Sequence, residues 1–317
     1  MRVKFWGCNG SIASPCDSDQ IEAKIRHVLT MASPSDITDD SSIAKFMDSL
    51  PLSLRGTYKG NTSCVQVTSD SEVILVFDTG TGARKLAQEL MATSLGKGQG
   101  EMHIFYSHLH WDHIQGFPFF VPAYIPGNII NIYGVIEDLE QKFRKQLSHP
   151  YFPVPFDGLG ATIKFHELKV GEELTIDDSI KINTTKLYHP QVSHAYSIEE
   201  NNKKIVYMTD SEFDMTDLQL IQNAINLCEE ADIFVFDCQF TFQDTISKMD
   251  WGHSSVYTGI DIASSANAKS LYLFHHEPAY DDFKIEQIIG EAHSYKSKVG
   301  NAGLNIVGAY DGLTVDV

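Results

Sequence analysis

Four strong metal-ligand side chains fall within six residues, at His108, His110, Asp112 and His113 of the run Ser107-His108-Leu109-His110-Trp111-Asp112-His113. The run directly follows a strand-like stretch, Met102–Tyr106, so its first half is read as extended chain. Residues two apart in extended chain point to the same side, which lets His108 and His110 share one ion. Asp112 and His113 stand where the chain begins to turn and can face a second. Imidazole nitrogens and carboxylate oxygens without thiolate suit Zn²⁺, Mn²⁺ or Fe, and a catalytic site must keep an open position for water. Other ligand types follow strand-like runs in the same manner: His189 after Ile180–Leu187, Asp210 after Ile205–Met208, and His275-His276 after Ser270–Phe274. Each alone reads as a capping or surface residue; together with the first motif they form a candidate ligand set.

Positioning these side chains falls to short apolar runs rich in Val, Ile and Phe. Besides those just named, Val3–Trp6, Cys64–Val67, Val73–Phe77, Ile129–Tyr133 and Ile233–Phe236 read as strands. Between them, Gly82–Leu95, Val135–Leu147, Asp217–Glu229, Ser254–Ala266 and Asp281–Ser297 carry apolar residues at helical period. Strands clustered early and strand–helix alternation late imply an α/β or α+β sandwich with helices outside. Residues 14–57 break the rhythm, placing helices at Asp19–Met31 and Ser41–Leu50 between the first two strands as an inserted cap. With no repeat, low-complexity tract or Pro/Ser linker to divide it, residues 1–317 are expected to form one domain.

The 317 residues are 43% hydrophobic and 21% charged, an ordinary globular composition that excludes disorder, collagen and coiled coil. Lys+Arg number 24 against 42 Asp+Glu, a formal charge of −18, which argues against a long nucleic acid or an anionic membrane as partner. The five cysteines are scattered and never in a CxxC arrangement, so reduced thiols in a cytoplasm are expected. No signal-peptide core follows Met1, and no apolar run approaches a membrane span.

Taken in order along the chain, Phe77-Asp78-Thr79-Gly80-Thr81-Gly82, the histidine-rich run at 108–113, His189-Pro190, Thr209-Asp210 and Leu273-Phe274-His275-His276-Glu277-Pro278 resemble the metallo-β-lactamase-fold hydrolases. Gly60-Asn61-Thr62-Ser63-Cys64, Gly116-Phe117-Pro118-Phe119-Phe120 and Trp251-Gly252-His253-Ser254 narrow the likeness to the phosphodiesterase branch that includes ribonuclease Z and cyclic-nucleotide phosphodiesterase-like proteins. The resemblance implies an α+β fold, an αββα sandwich, with a two-metal site at one edge and zinc as the first choice of ion. It assigns His108, His110 and His189 to one metal, Asp112, His113 and His275 to the other, and Asp210 as the bridge. Asp78 would fix the ligand loop without touching an ion. His275 is preferred to His276 because the family's ligand lies three residues before the proline, here Pro278.

In such enzymes a metal-bridging hydroxide attacks phosphorus, and two ions less two carboxylates and one hydroxide leave a formal excess of about one positive charge, suited to an anionic substrate. The remaining need is a proton for the leaving oxygen. The resemblance gives that role to His253, expected to open a helix and to be oriented by Asp237 at the end of a strand. No Gly-x-Ser-x-Gly elbow is present, and the glycines at 80 and 82 read as a tight turn rather than a phosphate loop. The aromatic run of Tyr151, Phe152 and Phe156 reads as packing.

The chain departs from the family at several points: Asn9 stands where relatives often carry Arg, Lys59-Gly60 replaces a glycine pair before Asn61, and Glu277 replaces a small polar residue. The long arm with which ribonuclease Z holds transfer RNA is not evident. The reading is therefore a dinuclear metal-dependent phosphodiesterase acting on a small diester such as a cyclic nucleotide. The alternatives are an RNA-processing nuclease of ribonuclease Z type, which a lysine-rich surface patch would favour, a lactone, thioester or β-lactam hydrolase on the same site, and a binding module without turnover. The family also implies a homodimer.

Overall fold

The computed structural model describes every residue except Met215. The chain lays down β1 (Arg2–Gly7), β2 (Cys64–Thr68), β3 (Ile74–Phe77), β4 (Glu101–Tyr106), β5 (Ile129–Gly134) and β6 (Thr162–Glu167) in one sheet. It then builds a second from β7 (Leu174–Ile176), β8 (Ile180–Leu187), β9 (Ser193–Glu200), β10 (Lys203–Met208), β11 (Ile233–Asp237), β12 (Ser270–Phe274) and β13 (Asn305–Gly308), before β14 (Thr314–Asp316) returns to the first. The orders are β14-β1-β2-β3-β4-β5-β6 and β13-β12-β11-β10-β9-β8-β7.

Side-chain alternation turns these strands into layers. On β3, Leu75 and Phe77 face the space between the sheets while Val76 packs outward; on β11, Ile233 and Val235 face inward while Phe234 and Phe236 pack outward. Because both faces are covered, the strands read as continuous apolar runs. The outer face of the first sheet is covered by α4 (Ala83–Leu90) and α6 (Leu139–Gln146). That of the second is covered by α7 (Leu218–Cys228), α9 (Val256–Ser265) and α10 (Asp282–Lys298), with the short α8 (Phe242–Ser247) between α7 and α9 in the chain. The result is the α+β, αββα arrangement of the metallo-β-lactamase fold. Among the described residues no helix is long and apolar enough to cross a membrane.

Strands β3 to β6 run parallel, as do β10 to β13, and β8 shares the direction of β10 because each is antiparallel to β9. The carboxyl ends of β3, β4, β8, β10, β11 and β12 therefore each deliver a loop where the site assembles. Between β1 and β2 stand α1 (Ser18–Met31), α2 (Asp40–Ser49) and the short α3 (Leu52–Arg55). Asp17 and Asp39 cap the first two through capping boxes, which explains their well-defined starts. The insertion is tied to the body by a buried ion pair between Lys24 and Asp282, whose other oxygen accepts from the Tyr58 amide at 2.7 Å.

Several expected boundaries move. The helix expected over Gly82–Leu95 ends at Leu90, and residues Ser94–Lys97 form a separate 3₁₀ turn. That expected over Val135–Leu147 begins only at Leu139, because Asp138 before it adopts φ 54°. Strands β6, β7, β9, β13 and β14 were not among the expected ones; β9, nearly all buried, hides behind the polar Ser193, His194 and Ser197.

Candidate metal centre

The run 108–113 leaves β4 in extended form and then closes α5 (Trp111–Ile114), a single turn that places Asp112 and His113 on its inner side. The two predicted ligand groups come together around Asp210. Ligand atoms of His108, His110, His189 and Asp210 lie within 4.8 Å of one another, as do those of Asp112, His113, Asp210 and His275. Asp210 faces both, with Oδ2 at 3.6 Å from His108 Nε2 and Oδ1 at 3.2 Å from the Nε2 of His113 and of His275. Three residues just past strand ends here, Asp78, Asp210 and His275, adopt φ near +60°. Non-glycine residues rarely occupy this region, and they concentrate at functional sites where the surroundings hold them.

The residues fit bound cations. Asp78, Asp112, Asp210 and Asp237 are all buried, and among the described residues their ion-pair partners are imidazoles, with no lysine or arginine within 4.0 Å. Buried negative charge without such a counter-ion is costly unless cations are bound. The Nε2 atoms of His108 and His113 are buried without a hydrogen-bond partner, although the latter stands 3.3 Å from Asp112 Oδ2. Burial, the largest influence, holds His108, His110 and His189 below the ordinary histidine range, which keeps their lone pairs available for ligation.

A supporting shell fixes each ring. Asp78 Oδ2 accepts from His113 Nδ1, from the Ser107 hydroxyl and from the Tyr207 hydroxyl, each at 2.8 Å. Donating Nδ1–H to a carboxylate leaves the His113 Nε2 lone pair free to bind metal. His189 Nδ1 donates to the Gly252 carbonyl at 2.9 Å, and His275 Nδ1 to Gln239 Oε1 at 3.0 Å. Gly252 must be glycine: its φ is +84° and a Cβ there would lie 2.1 Å from His189 Nδ1.

His253 lies 2.8 Å from Asp237 Oδ2 through Nδ1, and its ring centroid is 5.0 Å from that of His275. It does not open a helix as expected; it sits in the loop before α9, three residues short of Val256. The Gly252 turn and the Asp237 bond hold it there instead. Burial works against its protonation, but the Asp237 carboxylate outweighs this and raises its pKa to about 9.

His276 and Asn61, both in the motifs that carry the resemblance and both possible site residues, fall outside this cluster. His276 Nε2 bonds to the Ala309 carbonyl at 2.8 Å, so of the adjacent pair only His275 joins the ligand group. Asn61 bonds to Asp311 through Nδ2 at 2.8 Å and supports the neighbouring loop. The turn reading of residues 80–82 fits the close approach of Gly80, where a Cβ would meet the Asp112 carbonyl at 2.2 Å. Phe156 is buried as expected of packing, whereas Tyr151 is 67% exposed. The supports that sequence reasoning missed, Gln239, Tyr207 and the carbonyl of Gly252, bond across 36, 129 and 63 residues of chain and carry no local signature.

Residues 74–276 match the beta-lactamase superfamily domain, a span that contains every clustered residue described above. Ribonuclease Z of Synechocystis sp. is 29% identical over 133 residues, 41% of this chain and 36% of the relative, so the match spans about a third of that relative's length. Among solved structures, the metallo-beta-lactamase fold protein YhfI of Bacillus subtilis superposes with a TM-score of 0.63 at 19% identity, covering 99% of this chain and 98% of that one. The short form of human tRNase Z gives 0.62 at 18% identity, covering 100% and 99%. Both share the fold.

Proposed function

Because the chain belongs to the beta-lactamase superfamily of hydrolases, we propose that it is a dinuclear metal-dependent phosphodiesterase acting on a small phosphodiester such as a cyclic nucleotide. The observation that carries this reading is the pair of four-residue ligand groups sharing Asp210. His108, His110 and His189 would hold one divalent ion, zinc by its donor set, and Asp112, His113 and His275 the second. Bound there, divalent ions act as Lewis acids on phosphoryl oxygens and make water nucleophilic near neutral pH.

The chain's own groups supply the rest. Asp78 and Gly252 set the tautomers of His113 and His189, so that Nε2 of each ring is the atom offered to an ion. Asp237 holds His253 through Nδ1, and the proton that His253 carries on Nε2 passes to the leaving oxygen, making it the general acid. Residues 1–317 act as one unit in this reading, with 14–57 a helical insertion between β1 and β2.

The names of relatives favour a second reading, an RNA-processing nuclease of ribonuclease Z type on the same centre. One assay separates them. Protein purified without chelator is offered bis-p-nitrophenyl phosphate, 2′,3′- and 3′,5′-cyclic nucleotides, and a precursor transfer RNA. Hydrolysis of the small diesters that chelator abolishes is the expected result; cleavage of the RNA alone would select the nuclease, and cleavage of none would overturn both.

A further inference from the structure

Two cavities flank the centre, and they differ in charge. One, of about 880 Å³, is lined by His108 and His110 together with three lysines, Lys142, Lys145 and Lys186, against a single acidic residue, Glu137. Among the described residues none of these lysines has a carboxylate within 4.0 Å, in a chain with 42 acidic side chains against 24 basic. Lys142 donates one N–H to the Glu137 carbonyl and keeps two. Trp111 and Tyr151 line the same cavity and are 66% and 67% exposed. His194, only 6% exposed, completes the wall, and its Nδ1 has no hydrogen-bond partner. Burial pushes its pKa down to about 4, so it presents a neutral ring.

The other cavity, about 1150 Å³, contains His253 and five carboxylates, those of Glu212, Asp214, Asp217, Asp250 and Asp261. Its described lining holds no lysine or arginine. His189 stands between the two, its ring 4.9 Å from His110 and 5.2 Å from His253.

We propose that the cavities receive the two halves of the diester and that their opposite charge fixes its polarity. The half that keeps the phosphoryl group is a nucleotide unit bearing a second phosphate, held by Lys142, Lys145 and Lys186 with its base against Trp111 and Tyr151; the leaving half is an uncharged alcohol on the His253 side. Exposed aromatic faces stack bases irrespective of sequence, and ammonium groups neutralise phosphate. The cavity size lies at the upper end for a single small ligand, which leaves room for more than a cyclic mononucleotide. The reaction is hydrolysis: water oxygen bonds phosphorus, the bond from phosphorus to the alcohol oxygen breaks, that oxygen takes the His253 proton, and the proton lost by water restores His253. The inference rests on the phosphodiesterase reading.

The test compares three substrates that all release p-nitrophenol: bis-p-nitrophenyl phosphate, thymidine 5′-(p-nitrophenyl phosphate) and the 3′-phosphate of the latter. In wild type the 3′-phosphate should raise kcat/KM by about tenfold or more, mainly through KM. In Lys142→Ala/Lys186→Ala that gain should vanish while bis-p-nitrophenyl phosphate is cleaved as before. No gain in wild type, or an equal loss on all three substrates, would overturn the proposal. Calorimetric titration keeps the outcome separate from that of the phosphodiesterase reading, since it needs no turnover. Thymidine 3′,5′-bisphosphate should bind about tenfold or more tighter than thymidine 5′-monophosphate to wild type and not to the double variant. Equal affinities in wild type would refute the cationic half-site even where no diester is cleaved.

Discussion

Asp112 is gripped from three sides: His113 and His275 each stand 3.3 Å from its Oδ2, and the Ser11 amide donates to the same oxygen at 2.8 Å. Asp112→Ala should therefore abolish turnover and lower bound metal by one equivalent, read by elemental mass spectrometry. In the proposed reaction His253 serves proton transfer rather than ligation. His253→Ala should cut the rate by about 10²–10⁴ on a diester with a poor leaving group while both metals stay bound. Wild-type activity of that variant would remove His253 from the reaction. At this scale the candidate ligands are legible in the sequence, because each is a His or Asp in a segment that follows an apolar strand. It could not separate His275 from His276 on residue type; the difference is geometric, since His276 turns to the Ala309 carbonyl while His275 faces Asp112 and Asp210.

The elements hold the site through a few long-range ties, and the insertion is the clearest case. Asp282, 2% exposed in the first turn of α10, accepts from Lys24 of α1 and from the Tyr58 amide, so helix 18–31 is fastened to the layer behind β12 and β13. Asp282→Ala leaves the ammonium of Lys24 buried without its carboxylate, and should cost about 3–5 kcal/mol in urea unfolding. Metal content should be unchanged in the folded variant, because the polar partners of Asp282 are Cys16, Lys24, Thr57 and Tyr58, none of them a candidate ligand; a loss below about 1 kcal/mol would mean that water replaces the pair. The helices of the insertion lie close to the expected spans, and the structure shows what fixes their starts: capping boxes at Asp17 and Asp39. The core strands were legible because both faces are apolar. Strand β9 was not, since Ser193, His194 and Ser197 are buried by tertiary packing that local composition does not reveal.

For the whole molecule, the uneven distribution of charge matters more than its sum. A chain of −18 concentrates four carboxylates and several imidazoles in one buried edge and places three unpaired lysines beside it, among the described residues. The global charge, read from composition, argues against a long polyanion; the local arrangement favours small anions at the centre. Every loop that carries a candidate ligand springs from a strand end on that edge, so the two-sheet topology and the site are one construction, with Asp210 after β10 at its middle. The central claim is that this edge holds two divalent ions sharing Asp210. Native mass spectrometry of protein prepared without chelator measures it directly: two metal equivalents per chain in wild type and fewer in Asp210→Ala are the expected result, whereas metal-free wild type under metal-replete conditions, or an Asp210→Ala variant that keeps both ions, would contradict it.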